Sequence, residues 1–97
     1  MERKAFLTTL KPGCREAYID AHDNFPAALH ARYKRAGVRS ISIFLINDQL
    51  FMYVEAEDFG KVQTALADDP MDVEWQGLVG PMKSSEGLTL PEIFHME

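Results

Sequence analysis

The sequence contains little cysteine, no long apolar run and no excess of basic charge, and each shortage excludes a class of protein. Its 97 residues include one cysteine, Cys14, so an intrachain disulfide is impossible and a reducing, cytoplasmic location is expected. No segment approaches the roughly 18 consecutive apolar residues of a membrane-spanning helix, and residues 1–6 lack the apolar stretch of a secretory signal. We therefore expect no membrane partner.

The charge balance argues against nucleic acid as a partner. Fifteen acidic residues against ten basic ones give a net charge of −5, whereas a protein that follows a phosphate backbone normally carries a clustered basic patch. The densest basic run, between Arg32 and Arg39, lies at a predicted helix end, where cations complement the helix dipole.

Motifs for metals, nucleotides and covalent catalysis are also missing. His22, His30 and His95 do not have metal-ligand spacing, and a single thiol accompanies them. The sequence has no glycine-rich phosphate loop, no nucleophile elbow and no Cys-x-x-Cys pair. We expect neither a metal nor an organic cofactor, so any catalysis must use general acids and bases on a small substrate.

Residues 1–97 form one domain, since half of this length could not hold a core of its own. Apolar periodicity and turn residues predict a β-α-β-β-α-β order. The predicted segments are a strand over 2–10, a helical region over 14–36, strands over 38–46 and 50–56, helices over 59–67 and 71–79, and a strand over 88–95. This order predicts an α+β, ferredoxin-like fold, an antiparallel sheet with helices on one face.

Two residues set the limits of the first helical region. Pro26 lies inside its apolar stripe and predicts either a kink or two shorter helices, because proline cannot donate the helical hydrogen bond. Gly37 is placed to end the region as a C-terminal cap. Pro91 within the last predicted strand indicates a sheet edge.

The hairpin strands carry large apolar side chains on both faces. Ile41, Ile43 and Leu45 alternate with Phe44 and Ile46 along the first of them. The helices can cover only one face of the sheet, so the other would be an exposed apolar patch in a monomer. We therefore predict a homodimer in which two sheets meet to form a dimeric α/β barrel.

His22 is the leading candidate for catalysis. It follows Tyr18 by four residues, which places the imidazole and the phenol on one helix face, within the apolar stripe directed at the sheet. A partly desolvated histidine there can act as a proton shuttle. The alternative is a core histidine bonded to a carbonyl or carboxylate group.

Trp75 is the only tryptophan and is the second candidate. Its indole can stack on the apolar face of a sugar ring, with Glu74 or Gln76 binding hydroxyls. The alternative is a core or interface aromatic residue.

Taken together, the motifs resemble the L-rhamnose mutarotase family over essentially the whole chain. The similar segments are Arg3-Lys4-Ala5-Phe6, Tyr18-x-x-x-His22, Phe25-Pro26, Ser42-Ile43-Phe44-Leu45, Leu50-Phe51-x-x-Val54-Glu55, Trp75 and Glu92-x-Phe94. The resemblance implies a cofactor-independent, dimeric ferredoxin-like enzyme that interconverts the α and β anomers of a 6-deoxy sugar. It implies that His22 is the proton donor and that Tyr18 and Trp75 contact the sugar.

Two departures from the family pattern bear on the substrate. A sugar-contacting strand tyrosine corresponds to Ile41 here, and the first of two adjacent tryptophans corresponds to Glu74. We expect the anomeric chemistry to tolerate both changes, whereas they can alter the preference for L-rhamnose over L-fucose. The alternatives are therefore an L-fucose mutarotase, a monooxygenase or haem-handling enzyme of the same shape, and a non-catalytic module that binds a small ligand.

Overall fold

The computed structural model describes residues 1–84 and 87–97 and has the predicted α+β architecture. The described residues form four strands and four α-helices, with a short 3₁₀ helix between the last helix and the last strand. The elements are β1 (Glu2–Thr9), α1 (Arg15–Asp23), α2 (Ala27–Ala36), β2 (Val38–Ile46), β3 (Gln49–Ala56), α3 (Phe59–Leu66), α4 (Pro70–Val79), the 3₁₀ helix (Gly80–Met82) and β4 (Leu88–Leu90).

The four strands form one antiparallel sheet in the order β2-β3-β1-β4. A two-residue turn connects β2 to β3, since Ile46 pairs directly with Gln49 and Asn47 takes a positive φ of 53°. This order confirms the ferredoxin-like plan, in which the first strand lies in the middle of the sheet.

The first helical region is two helices rather than one kinked helix. Pro26 is the N-cap of α2 with an extended backbone, so its missing N–H falls where no helical hydrogen bond is required. Gly37 ends α2 in the left-handed conformation at φ 111°, and its N–H donates to the carbonyl groups of Lys34 and Tyr33. Glycine adopts this conformation without strain, which explains the stop.

Aspartates cap the helices of the second half. Asp58 accepts hydrogen bonds from the backbone of Gly60 and Lys61 at the start of α3. Asp69 accepts one from the backbone of Met71 at the start of α4 and also forms a 2.7 Å ion pair with Arg32 of α2. Asp69 therefore fixes both the beginning of α4 and its position beside α2.

The last strand is shorter than predicted. We expected a strand over 88–95, but β4 ends at Leu90 and residues 91–97 lie outside the sheet. The ladder with β1 covers three pairs, Ala5 to Leu90 through Leu7 to Leu88. Pro91 has no N–H to continue it. A bidentate pair between Arg3 and Glu92, at 3.0 and 3.2 Å, attaches the chain beyond this point through side chains. Residues 85 and 86 of the predicted loop over 80–87 lie outside the described residues.

The helices cover one face of the sheet. The buried core joins residues of the helices to residues of the strand ends, and consists of Leu10, Tyr18, Leu29, Leu50, Trp75 and Val79. Ile43, Leu45 and Met52 pack against it from the sheet. Over residues 1–84 and 87–97, none of the helices is long and apolar enough to cross a membrane.

The opposite face of the sheet, here called the open face, is apolar. One row crosses all four strands, because Phe44 pairs with Phe51, Phe51 with Leu7, and Leu7 with Leu88. Phe44 is 62% exposed and Leu88 66%. The open face therefore has the composition of an interface rather than of a solvated surface.

Replacing Asp69 tests the helix cap. We expect Asp69→Ala to lower the melting temperature by about 5 °C, because α4 loses its cap and its link to Arg32. Asp68→Ala is the matched control, since Asp68 is exposed and outside both interactions. Thermal unfolding followed by circular dichroism measures the difference, and equal losses in the two variants would contradict this assignment.

The same pair of variants predicts a pH dependence. Arg32, with the backbone of Met71, holds the pKa of the Asp69 carboxyl below its ordinary value of 3.8. A lowered pKa stabilises the folded protein above the unfolded-state value, and this advantage disappears as the pH falls through the folded-state value. The stability gap between wild type and Asp69→Ala should therefore be full at neutral pH and narrow below about pH 4.

Candidate active site

A cavity of about 1210 Å³ lies between the helices and the covered face of the sheet. Its sheet side is formed by side chains from β2 and β3, among them Ile41, Ile43, Leu45, Met52 and Val54. Residues of α1, α2 and α4 close the other side. Most of the exposed lining is apolar, with charged and polar side chains among it, and this mixture suits a small-molecule site.

The imidazole of His22 faces this cavity in a defined orientation. Nδ1 lies 2.8 Å from the backbone carbonyl oxygen of Tyr18, one helical turn earlier. Because a carbonyl oxygen only accepts, Nδ1 carries the proton in this bond. Nε2 is therefore the ring atom left to exchange a proton with a ligand.

Tyr18 lies against the same imidazole. The two rings are 4.4 Å apart between centroids, and Tyr18 is only 3% exposed. Burial raises the pKa of its phenol to about 12, so the hydroxyl keeps its proton at neutral pH. The structure of residues 1–84 and 87–97 gives this hydroxyl no hydrogen-bond acceptor, which leaves it available to donate into the cavity that it lines.

Trp75 approaches from α4 and completes the group. Its indole meets the His22 ring edge-on at 5.0 Å between centroids and the Phe25 ring at 4.8 Å. The structure thus brings together all three residues selected from the sequence, Tyr18 and His22 on α1 with Trp75 on α4. Trp75 is 8% exposed, so it is at once a core residue and a wall of the cavity. The roles assigned to the three residues stay predictions.

A further polar group lies on the α2–α4 side of the cavity and was missed by the sequence analysis. The Tyr33 hydroxyl donates a short hydrogen bond to Oδ1 of Asp72. Nε2 of Gln76 lies 3.4 Å from the same oxygen. Burial and the bond to Asp72 raise the pKa of Tyr33. The Tyr33 ring packs edge-on against Phe25 at 5.8 Å. These contacts connect α2 and α4 across about 40 residues, which no local pattern reveals.

The two departures from the family pattern differ in their position. Ile41 lines the cavity and is 40% exposed, so it presents a branched alkyl group, with no hydroxyl, to the cavity. Glu74 is exposed and is not part of the lining, whereas Gln76 is. Of the two hydroxyl-binding candidates beside Trp75, only Gln76 therefore borders the cavity.

Lys83 also lines the cavity, after the 3₁₀ helix, and was not selected from the sequence because a lone lysine has no motif. Among residues 1–84 and 87–97, no cluster of three or more histidine, cysteine or acidic side chains is placed to hold a metal ion. We name no metal ligands.

The fold and the site together define a class: a ferredoxin-like α+β protein with a histidine imidazole between aromatic side chains in a cavity beside the sheet. Known proteins make the assignment more specific. The model of the L-rhamnose mutarotase family matches residues 3–96. An L-rhamnose mutarotase from Opitutus terrae is 34% identical over 105 aligned positions, with complete coverage of both chains. The chain belongs to the L-rhamnose mutarotase family, whose members are isomerases acting on carbohydrates.

Solved structures agree with this family. The crystal structure of an L-rhamnose mutarotase from Formosa agariphila matches with a TM-score of 0.83 and 26% identity, again covering both chains fully. A dimeric ferredoxin-like protein from an uncultured marine organism matches with a TM-score of 0.69 and 14% identity, over 98% of this chain and 96% of that one. At that identity the second match concerns the fold alone.

The raised pKa of Tyr18 predicts how stability changes at high pH. The unfolded chain releases the phenol proton near its ordinary pKa of 10.0, whereas the folded protein holds it to about 12. The folded state thus binds more protons between these values, so stability must fall as the pH rises through this range. We expect Tyr18→Phe, which has no such proton, to lose stability less steeply than wild type between pH 10 and 12 in urea titrations. Equal slopes would contradict the buried, protonated phenol.

Proposed function

We propose that the protein interconverts the α and β anomers of L-rhamnose, or of a closely related 6-deoxy sugar, with His22 as the proton-transferring residue. The observation that carries the proposal is the orientation of His22. Its Nδ1 is held by the Tyr18 carbonyl and its Nε2 is left for the ligand, in a cavity walled by Trp75. Membership of the L-rhamnose mutarotase family supports the choice of sugar.

The reaction needs only proton transfers. Nε2 of His22 accepts the proton of the anomeric hydroxyl and delivers a proton to the ring oxygen, while the bond between C1 and the ring oxygen breaks and the open-chain aldehyde forms. Rotation about the C1–C2 bond presents the other face of the carbonyl carbon, and closure returns the proton from the former ring oxygen to the anomeric oxygen through the same nitrogen. No electrons or groups are transferred, so this site chemistry requires no cofactor. Acid–base help of this kind contributes about 10²–10⁴-fold.

The neighbours of His22 take complementary roles in the proposal. Tyr18, with its proton retained by burial, acts as a hydrogen-bond donor to the sugar rather than as a base. Trp75 offers its indole to the apolar side of the sugar ring while its edge contact restrains the imidazole. Gln76, which borders the cavity, is placed to bind a hydroxyl.

Proton NMR exchange between the anomers tests the reaction. We expect wild type to accelerate exchange of L-rhamnose, and His22→Ala to lose about 10²–10⁴-fold of that acceleration while retaining its fold. His95→Ala is the control, because His95 lies in the chain segment after β4 and outside the cavity. No acceleration by wild type would overturn the proposed function and favour a non-catalytic binding module.

L-Fucose, measured in parallel, identifies the preferred sugar. Ile41 cannot form a hydrogen bond to the sugar from the sheet side of the cavity. We therefore expect it to influence the choice between L-rhamnose and L-fucose. Faster exchange of L-fucose than of L-rhamnose would make the protein an L-fucose mutarotase of the same mechanism.

We also propose that the protein is a homodimer joined through the open face. The apolar row Phe44, Phe51, Leu7 and Leu88 supports this, because a second copy would bury it from water. A structural relative is described as dimeric.

Substitution within this row tests the dimer. We expect wild type to sediment as a dimer at micromolar concentration and Phe44→Asp as a monomer, because a carboxylate cannot be buried unpaired between the sheets. Leu78→Asp is the matched control, since Leu78 is an exposed apolar residue of α4, 51% exposed, away from the open face. A monomeric wild type would overturn the assembly without affecting the catalytic proposal.

A further inference from the structure

Lys83 has a fixed position beside the aromatic site. It follows the 3₁₀ helix, and its N–H donates to the carbonyl group of Gly80 at 3.0 Å. Its backbone forms an isolated β-bridge with Leu10, which belongs to the same buried cluster as Tyr18 and Trp75. On either side of the bridge, Lys11 donates to Met82 and Ser84 donates to Thr9, each at 2.8 Å. The backbone that carries Lys83 is thus attached to the end of β1.

Lys83 is half-buried, and it lines the cavity. Throughout the described part of the chain, no side chain or carbonyl group lies within hydrogen-bonding distance of its Nζ. The other cationic side chains of the lining are engaged. Lys34 donates to the Arg39 carbonyl at 2.6 Å, and Arg39 pairs with Glu57 at 2.8 Å.

An ammonium in this environment loses hydration without receiving a protein acceptor. Burial accordingly lowers the pKa of Lys83, because the charged form is less stable when it is partly removed from water. A cation that is partly buried beside apolar side chains normally has an oxygen atom as hydrogen-bond acceptor. A sugar presents several hydroxyl oxygens, each able to accept from Nζ.

We propose that Lys83 is a substrate-binding residue of this site, donating a hydrogen bond from Nζ to a hydroxyl oxygen of the bound sugar. The inference rests on the proposed function for the identity of the ligand, but not for the geometry. It extends the site beyond His22, Tyr18 and Trp75 to the segment that follows α4. The interaction belongs to binding and orientation, and transfers no proton.

Calorimetric titration of L-rhamnose at anomeric equilibrium tests this role, since binding is then measured without net reaction. We expect Lys83→Met, which keeps the length of the stem, to bind L-rhamnose about tenfold to a hundredfold more weakly than wild type. Lys11→Met is the matched control: Lys11 is a neighbouring, exposed lysine and should leave affinity unchanged.

Urea unfolding of the same variants separates binding from structure. A ligand-binding lysine without a protein partner predicts that Lys83→Met is at least as stable as wild type, because a desolvated charge is removed. A structural lysine predicts a loss of stability with unchanged affinity in the folded fraction. That second pattern overturns the proposal.

A measurement on the unmodified protein keeps the proposal testable if the variant does not fold. The side-chain NMR signal of Lys83 should move when L-rhamnose is added, and its titration midpoint should rise, because an accepting oxygen favours the ammonium form. An unmoved signal in the presence of saturating sugar overturns the proposal.

The outcome for the proposed function is read separately. Wild type that binds L-rhamnose and accelerates its anomer exchange, with equal affinity in Lys83→Met, overturns the role of Lys83 alone. Wild type that binds L-rhamnose without accelerating exchange overturns the proposed reaction. The binding role of Lys83 is then decided by the affinity of Lys83→Met relative to wild type. Wild type that neither binds the sugar nor accelerates its exchange overturns both.

Discussion

The packing of Trp75 against His22 and Phe25 is the contact on which the site depends. It joins α4 to the end of α1 and to the residue pair that precedes α2, with centroid distances of 5.0 and 4.8 Å. Edge-to-face aromatic contacts prefer this geometry and add stabilisation beyond the area they bury. The imidazole is thus restrained by a ring from one half of the fold and by a backbone carbonyl, that of Tyr18, from the other.

Burial and hydrogen bonding around this contact determine which polar groups are bonded within the protein and which are open to a ligand. The Tyr18 phenol is held neutral, so it can donate but cannot take a proton near neutral pH. The hydrogen bond of Tyr33 to Asp72 is internal to the protein and connects α2 to α4. Among the described residues, Nε2 of His22 and Nζ of Lys83 have no hydrogen-bond partner, so Nε2 can accept from a ligand and Nζ can donate to one. An apolar cavity with a few such groups suits a neutral, hydroxyl-rich molecule.

The fold imposes a second constraint, on the opposite side of the sheet. Large apolar side chains lie on both faces of the sheet, and helices on one side leave the other face uncovered. The row from Phe44 to Leu88 is the consequence. The cavity and the open face therefore lie on opposite sides of the same strands, and alternate residues of β2 belong to each. Ile41 and Ile43 line the cavity, while Phe44 belongs to the open face.

Local patterns in the sequence were sufficient for the element order, an interruption of the helical region at Pro26, the stop at Gly37 and the pairing of Tyr18 with His22 on one helix face. Each is decided by dihedral limits or by helical spacing within a few residues. The tertiary structure decided what depends on partners distant in the chain. β4 pairs with β1 at three positions only, and the chain leaves the sheet after Leu90 although β1 extends to Glu2. Trp75 contacts His22, Tyr33 bonds to Asp72, and Lys83 borders the cavity because the helices pack against one another and against the strand ends. Contacts between residues so distant in the chain produce no periodic pattern in the sequence.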